Sequence, residues 1–180
     1  ALLPQNKAGL KKFQSVMLPA WRHCLQLEPP EPERVPRVVH GQLEAAGEFC
    51  FATVQLTHPG ENTPLTAAYW TPPTILKQRA PRLVVLARPT PSPADPAASV
   101  PSGLALELLR RGAAVLVIER FSSTEPADQF SNFYCTYNRT QLQNRVRDLL
   151  AVCRAAKSID PRKTVRFRVT LAGSGMAGLW

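Results

Sequence analysis

No apolar run in this 180-residue chain approaches the roughly 20 residues that a membrane-crossing helix needs, so no transmembrane span is expected. Acidic side chains are the scarcer charge: 13 Asp and Glu stand against 22 Lys and Arg, for a formal net charge of +9. That balance favours encounters with acidic polymers or surfaces. The late basic residues, among them Arg139, Arg145, Arg147, Arg154, Arg162, Arg166 and Arg168, have no aromatic residues interleaved as on a single-strand platform. No nucleic-acid motif accompanies them, so a solvated basic surface is expected and nucleic-acid binding is not. Cysteine is sparse, and Cys24, Cys50, Cys135 and Cys153 form no C-x-x-C and have no histidine pair beside them. A metal site is therefore not expected; buried thiols are the plain reading, with disulfides and the redox compartment left open. The three histidines, His23, His40 and His58, precede the parallel strands described next, and exposed or locally hydrogen-bonded rings are expected of them ahead of a general base. The start, residues 1–6, has neither an initiator Met nor the features of a signal peptide, from which a processed or cut chain is expected.

What is present is a core-forming chain, 44% hydrophobic, with one main domain as the default. Leu10, Phe13, Met17, Trp21 and Leu25 recur at helical spacing, which predicts an amphipathic helix packed on a body and kinked or divided at Pro19. Residues 28–36 hold four prolines among alternating acids and read as a stiff linker, so residues 1–36 are an appendage and 37–180 the main domain. Short β-type segments follow at 38–43, 49–57 and 65–71, the last two separated by a turn-rich stretch. The run LVVLA at 83–87 predicts a strand covered on both faces. A helix from Ser102 to Arg111 ended by Gly112 comes next, then a buried strand over 113–118. A second helix spans about 140–157, with Leu142, Val146, Leu149, Leu150 and Cys153 as its apolar stripe. Asn138, Arg139 and Thr140 make a glycosylation sequon or a helix cap, the cap being the stronger reading. A strand over 165–172 closes the series, and Arg166 and Arg168 then have to sit at the open lower edge of the sheet.

Strand, helix, strand, helix, strand implies parallel strands joined by right-handed crossovers, after an antiparallel hairpin. Ligands of such open sheets sit outside the carboxyl ends of the strands, so the loops after Ala87, Ile118 and Ala172 should line any site. The last of these begins with Gly173, Ser174, Gly175, Met176, Ala177 and Gly178, which align with the G-x-S-x-G-G form of a nucleophile elbow with Gly175 in the serine's place. On these residues, with LLRRGAAVLVIERF at 108–121, TYNRTQLQNRVRDLL at 136–150 and LAGSGMAGLW at 171–180, the chain resembles the first half of the α/β-hydrolase superfamily. More narrowly, it resembles the acetyl xylan esterase and dienelactone hydrolase-like proteins of environmental bacteria. The resemblance covers about residues 49–180. It implies a mostly parallel sheet with helices on both faces, stopping after the elbow strand as the N-terminal portion of a larger protein. It further implies hydrolysis of a carboxylic or carbohydrate acetyl ester through an acyl-enzyme, no cofactor, the rest of the same polypeptide as partner, and a compartment that can be extracytoplasmic.

The residues qualify that implication. Small neighbours let the backbone turn sharply beneath a nucleophile, and glycine at 175 relieves the strain of the turn but brings no oxygen to attack an ester. Catalysis is therefore expected to be impaired. Ser174 is the substitute, yet Ala172 and Met176 around it fit G-x-S-x-G poorly, and a turn-stabilising hydroxyl is the plainer role. The resemblance makes the Met176 N–H one oxyanion donor and assigns the other to the loop after Ala87. That loop contains Pro89, Pro91, Pro93 and Pro96, which have no N–H, so Thr90, Ser92 or Ala94 would have to donate. Glu119, Arg120, Thr124 and Glu125 follow a parallel strand and are candidates to line the cleft. Two other readings remain: a non-catalytic homologue that binds a carbohydrate or partner in the old cleft, and a nucleotide-binding turn, since Gly173, Gly175 and Gly178 also satisfy G-x-G-x-x-G.

Overall fold

The computed structural model describes residues 4–26, 36–87, 101, 103–122, 139–162 and 165–173. Helix α1, Lys7–Cys24, is capped by Asn6, whose side chain accepts from the Gly9 N–H at 2.8 Å. It runs unbroken through Pro19, so the proline does not divide it. The expectation that it packs on the body is corrected: none of its residues is buried, and Leu10, Val16, Leu18 and Trp21 are exposed. It is joined to the body where Gln143 Nε2 donates to the Cys24 carbonyl at 2.7 Å.

The described strands form one seven-stranded mixed sheet. They are β1 Arg37–His40, β2 Glu44–Ala46, β3 Phe49–Thr57, β4 Leu65–Thr71, β5 Arg82–Ala87, β6 Ala114–Arg120 and β7 Arg168–Gly173. The strand expected over 38–43 ends at His40, and a second short strand, β2, begins beyond that span at Glu44. Both β1 and β2 pair antiparallel with β3 along one edge, and the chain turns back into β3 at Gly47, whose φ of +62° suits glycine. The order across the sheet is β1-β3-β4-β6-β5-β7, antiparallel up to β6 and parallel for β6-β5-β7.

Side-chain alternation in the parallel strands divides the core in two. Leu83, Val85 and Ala87 of β5 share one face with Leu116 and Ile118 of β6, and meet Leu149, Val152 and Ala155 of α3, Gln141–Ala155. Val84 and Leu86 point the other way with Val115 and Trp70, against Ala105 and Leu109 of α2, Gly103–Arg110. Each fully buried Val or Leu contributes about 1.5–3 kcal/mol, and a one-residue slip in register would exchange the faces, so β5 fixes the register of its neighbours. The two helices cover opposite faces: α2 leads from β5 to β6 on one side, and α3 leads back across the other face to β7 beyond β5.

Helix ends follow local chemistry. Gly112 ends α2 at φ +84°, with its N–H on the Leu109 carbonyl and the Ala113 N–H on that of Leu108. Thr140 and Gln143 form a reciprocal capping box at the start of α3, so the cap reading of Thr140 holds, while Asn138 and Ser102 lie outside the described residues. The stripe expected on α3 is corrected. Leu149 is buried as expected, but Leu142 and Leu150 are exposed, and the buried face also carries Asn144, Asp148, Ala151, Val152 and Ala155, with Asp148 held inward by hydrogen bonds. A short 3-10 turn, Pro73–Lys77, buries Ile75 between β4 and β5. Among the described cysteines, Cys24 is exposed and Cys50 and Cys153 half-buried, all as free thiols, which corrects the expectation of buried ones.

Candidate functional site

The strand order places a switch at β5: its successor β6 lies on one side and β7 on the other. In open α/β sheets such a switch opens a crevice at the carboxyl ends of the strands. The register at that edge pairs Leu86 with Ala172 and Ala87 with Gly173. The chain therefore leaves the sheet after Ala87 and after Gly173 at adjacent positions. Gly175, Ser174, Met176, Thr90, Ser92 and Glu125 themselves lie outside the described residues.

Glu119 and Arg120, the two cleft candidates that are described, end β6 at this same edge. The β4–β6 ladder pairs Ala67 with Ile118 and Thr66 with Arg120, so Glu119 is the extra residue of a β-bulge, a device often found beside functional sites. It is half-buried, and burial pushes its carboxyl above the usual glutamate value. Arg120 is exposed, with a long 3.5 Å contact from Nη2 to Thr66 Oγ1.

Beside them lies a polar cluster that reading the sequence missed. Because β3 and β6 both run antiparallel to β4, their carboxyl ends share one edge, and the residues just beyond them meet on Asp148. Asp148 is fully buried. Its Oδ1 accepts from His58 Nε2 at 2.7 Å and Ser122 Oγ at 2.8 Å, and its Oδ2 accepts from the Ser122 N–H at 2.8 Å. Arg147, one residue before, pairs with Glu61 at 2.6 Å. The carboxylate stands between serine and imidazole, whereas a serine is activated by an imidazole standing between it and the acid. The cluster thus clamps the chain after β3 and after β6 to α3, and it does not supply a nucleophile. It also corrects two expectations. His58 is bonded across the fold instead of locally, as is His40, whose Nε2 lies 2.5 Å from the Ser158 carbonyl. The late basic residues are not all a solvated surface, since Arg147 and Arg162 are mostly covered and ion-paired. The signal for Asp148 was present: Asn144, Asp148 and Val152 recur every four residues on the buried stripe, and a carboxylate there demands partners.

A second buried carboxylate stabilises the opposite edge. Asp160 accepts from Tyr69 Oη at 2.7 Å and from the Arg162 backbone N–H and Nε, both at 2.8 Å. Burial pushes Asp160 up, but the Arg162 and Tyr69 hydrogen bonds outweigh it and hold its carboxyl below the usual aspartate value. Burial first, and then Asp160, push the Tyr69 phenol well above its ordinary value. Arg168 is exposed at the start of β7, paired with Arg82 at the start of β5, which is the lower-edge position expected for it. Among the described residues no group of His, Cys, Asp and Glu is placed to hold a metal ion, and no helix is long and apolar enough to cross a membrane.

The class the fold defines is a mixed α/β chain with a doubly wound parallel region behind an antiparallel entrance. No protein-family model matches the chain, and no curated protein matches it. Among solved structures it is similar to an acetyl xylan esterase from Paenibacillus sp. R4, at 14% identity and a TM-score of 0.45, over 88% of this chain and 50% of the esterase. The chain spans half the length of that structure.

Proposed function

We propose that the chain forms the N-terminal part of an esterase-type α/β-hydrolase domain, built for carboxylic or carbohydrate acetyl esters, in which Gly175 leaves the nucleophile position without an oxygen. The observation that carries this reading is the pairing of Ala87 with Gly173 at the carboxyl edge of β5 and β7. An acyl-transfer site of this type needs one oxyanion donor from the turn after the elbow strand and one from the loop after the strand beside it. The two segments start side by side, and the glycine-rich sequence from Gly173 to Gly178 follows at the required place. The bulge at Glu119 and the clamp on Asp148 support it by fixing the chain just after β6, at Ser122, at the same edge. Proline at 89, 91, 93 and 96 limits the second donor to Thr90, Ser92 or Ala94. A nucleotide-binding turn is the weaker reading, because such turns open the first βαβ unit of a sheet and this one follows the third parallel strand.

The test is an acetyl-ester assay on the protein as its gene encodes it. Wild type is expected to give no turnover above buffer, and Gly175→Ser to give measurable turnover, with a burst if an acyl-enzyme accumulates. Wild-type turnover that disappears in Ser174→Ala would show an active serine and sink the impaired-site reading.

A further inference from the structure

The chain has a second surface that the sheet edge does not account for. Helix α1 runs for 18 residues with none of them buried, and its large apolar side chains are left exposed or half-exposed: Leu10, Val16 and Trp21 exposed, Phe13 and Met17 partly covered. At 3.6 residues per turn, Leu10, Phe13, Met17 and Trp21 fall on one side of the helix. Lys11, Lys12, Arg22 and His23 fall on the other, with Lys7 at the border. Of the large apolar residues, Val16 and Leu18 lie off the apolar side. No Asp or Glu occurs before Glu28, so every charge on α1 is positive.

We propose that α1 is an interfacial anchor that lies in the plane of an anionic membrane, with Leu10, Phe13, Met17 and Trp21 in the headgroup boundary and its lysines and Arg22 on the lipid phosphates. Three features select a lipid surface over an acidic protein. The apolar side includes Trp and Phe as well as Leu, the residue types that settle at the boundary between headgroups and acyl chains. Lys7 at the border can lay its stem along the apolar side while its ammonium reaches a phosphate. The helix itself is too polar to span a membrane, so it rests on one. Pro19 sits on the basic side, where the carbonyl left without its N–H partner stays in water.

Vesicle flotation of the protein as its gene encodes it tests the proposal, with vesicles of phosphatidylcholine alone or with roughly one third phosphatidylglycerol. The protein is expected to float with the anionic vesicles only, and to be released by high salt. Each basic residue near an anionic surface contributes about fivefold to partitioning, so Lys7→Gln, Lys11→Gln and Arg22→Gln together should weaken binding on the order of a hundredfold. Phe13→Ser with Trp21→Ser should abolish it. Neither set replaces a buried side chain, so thermal melts of both variants should match the parent. Absence of flotation with anionic vesicles, equal flotation with neutral ones, or flotation retained by either variant would overturn the proposal. So would a dimer in sedimentation that needs Trp21 while vesicles go unbound, since the apolar side would then belong to a second copy.

Discussion

Three donors converge on Asp148, a fully buried carboxylate on α3. Removing an acceptor of that kind strands every donor, which costs about 3 kcal/mol or more, against about 1 kcal/mol for an ordinary hydrogen bond. Asp148→Ala should therefore lower the urea midpoint substantially, and Ser122→Ala or His58→Ala each by the smaller amount. A double-mutant cycle between positions 58 and 148 should show coupling, and additive effects would mean that the 2.7 Å contact contributes nothing. Gly112 makes a different demand. At φ +84° a Cβ is strained, and it would also stand 3.0 Å from Gln78 Nε2, which donates to the Gly112 carbonyl. Gly112→Ala is expected to destabilise by about 1–2 kcal/mol in the same measurement.

At the scale of elements, Gly112 ends helix α2 and the Thr140–Gln143 box starts α3. Thr140→Ala should cost α3 about 1 kcal/mol and speed amide exchange in its first turn, where Gln143 also ties down α1 through the Cys24 carbonyl. Strand β7 pairs only with β5 among the described strands, and Leu171 is 46% exposed on it. An open edge with an exposed apolar side chain templates pairing with other chains, so Leu171→Lys should slow light-scattering growth at high protein concentration without lowering the melting temperature. Most elements were legible: the spans 49–57 and 65–71 follow from β-branched and aromatic residues between turns, and 83–87 from an unbroken apolar run. The face of α3 was legible only in part, because counting leucines ranks Leu142 and Leu150 above Asp148, while hydrogen bonding to residues far along the chain holds Asp148 inward.

At the scale of the whole molecule, the buried carboxylate and phenol at the lower edge define a pH window. The folded Asp160 carboxyl lies below its unfolded value of about 3.9, so its contribution is complete above that pH and is lost as pH falls through the folded value. The folded Tyr69 phenol lies above its unfolded value of about 10, so its contribution is complete below that pH and is lost as pH rises towards the folded value. Stability measured against pH should therefore be flat between, with an acid limb that Asp160→Asn flattens and an alkaline limb that Tyr69→Phe removes. Unchanged limbs in these variants would assign the pH dependence to other groups.

Composition, periodicity and turn chemistry by themselves determined the α/β class and the order of the elements, because each depends on residues close together in the chain. The tertiary structure alone decided that β5 is the switch, that Ala87 stands beside Gly173, that His58 and Ser122 share Asp148, and that α1 leaves Leu10 and Trp21 exposed. Those are pairings across tens of residues, set by which strand edge and helix face remain available once the core has closed, and local spacing carries no record of that choice.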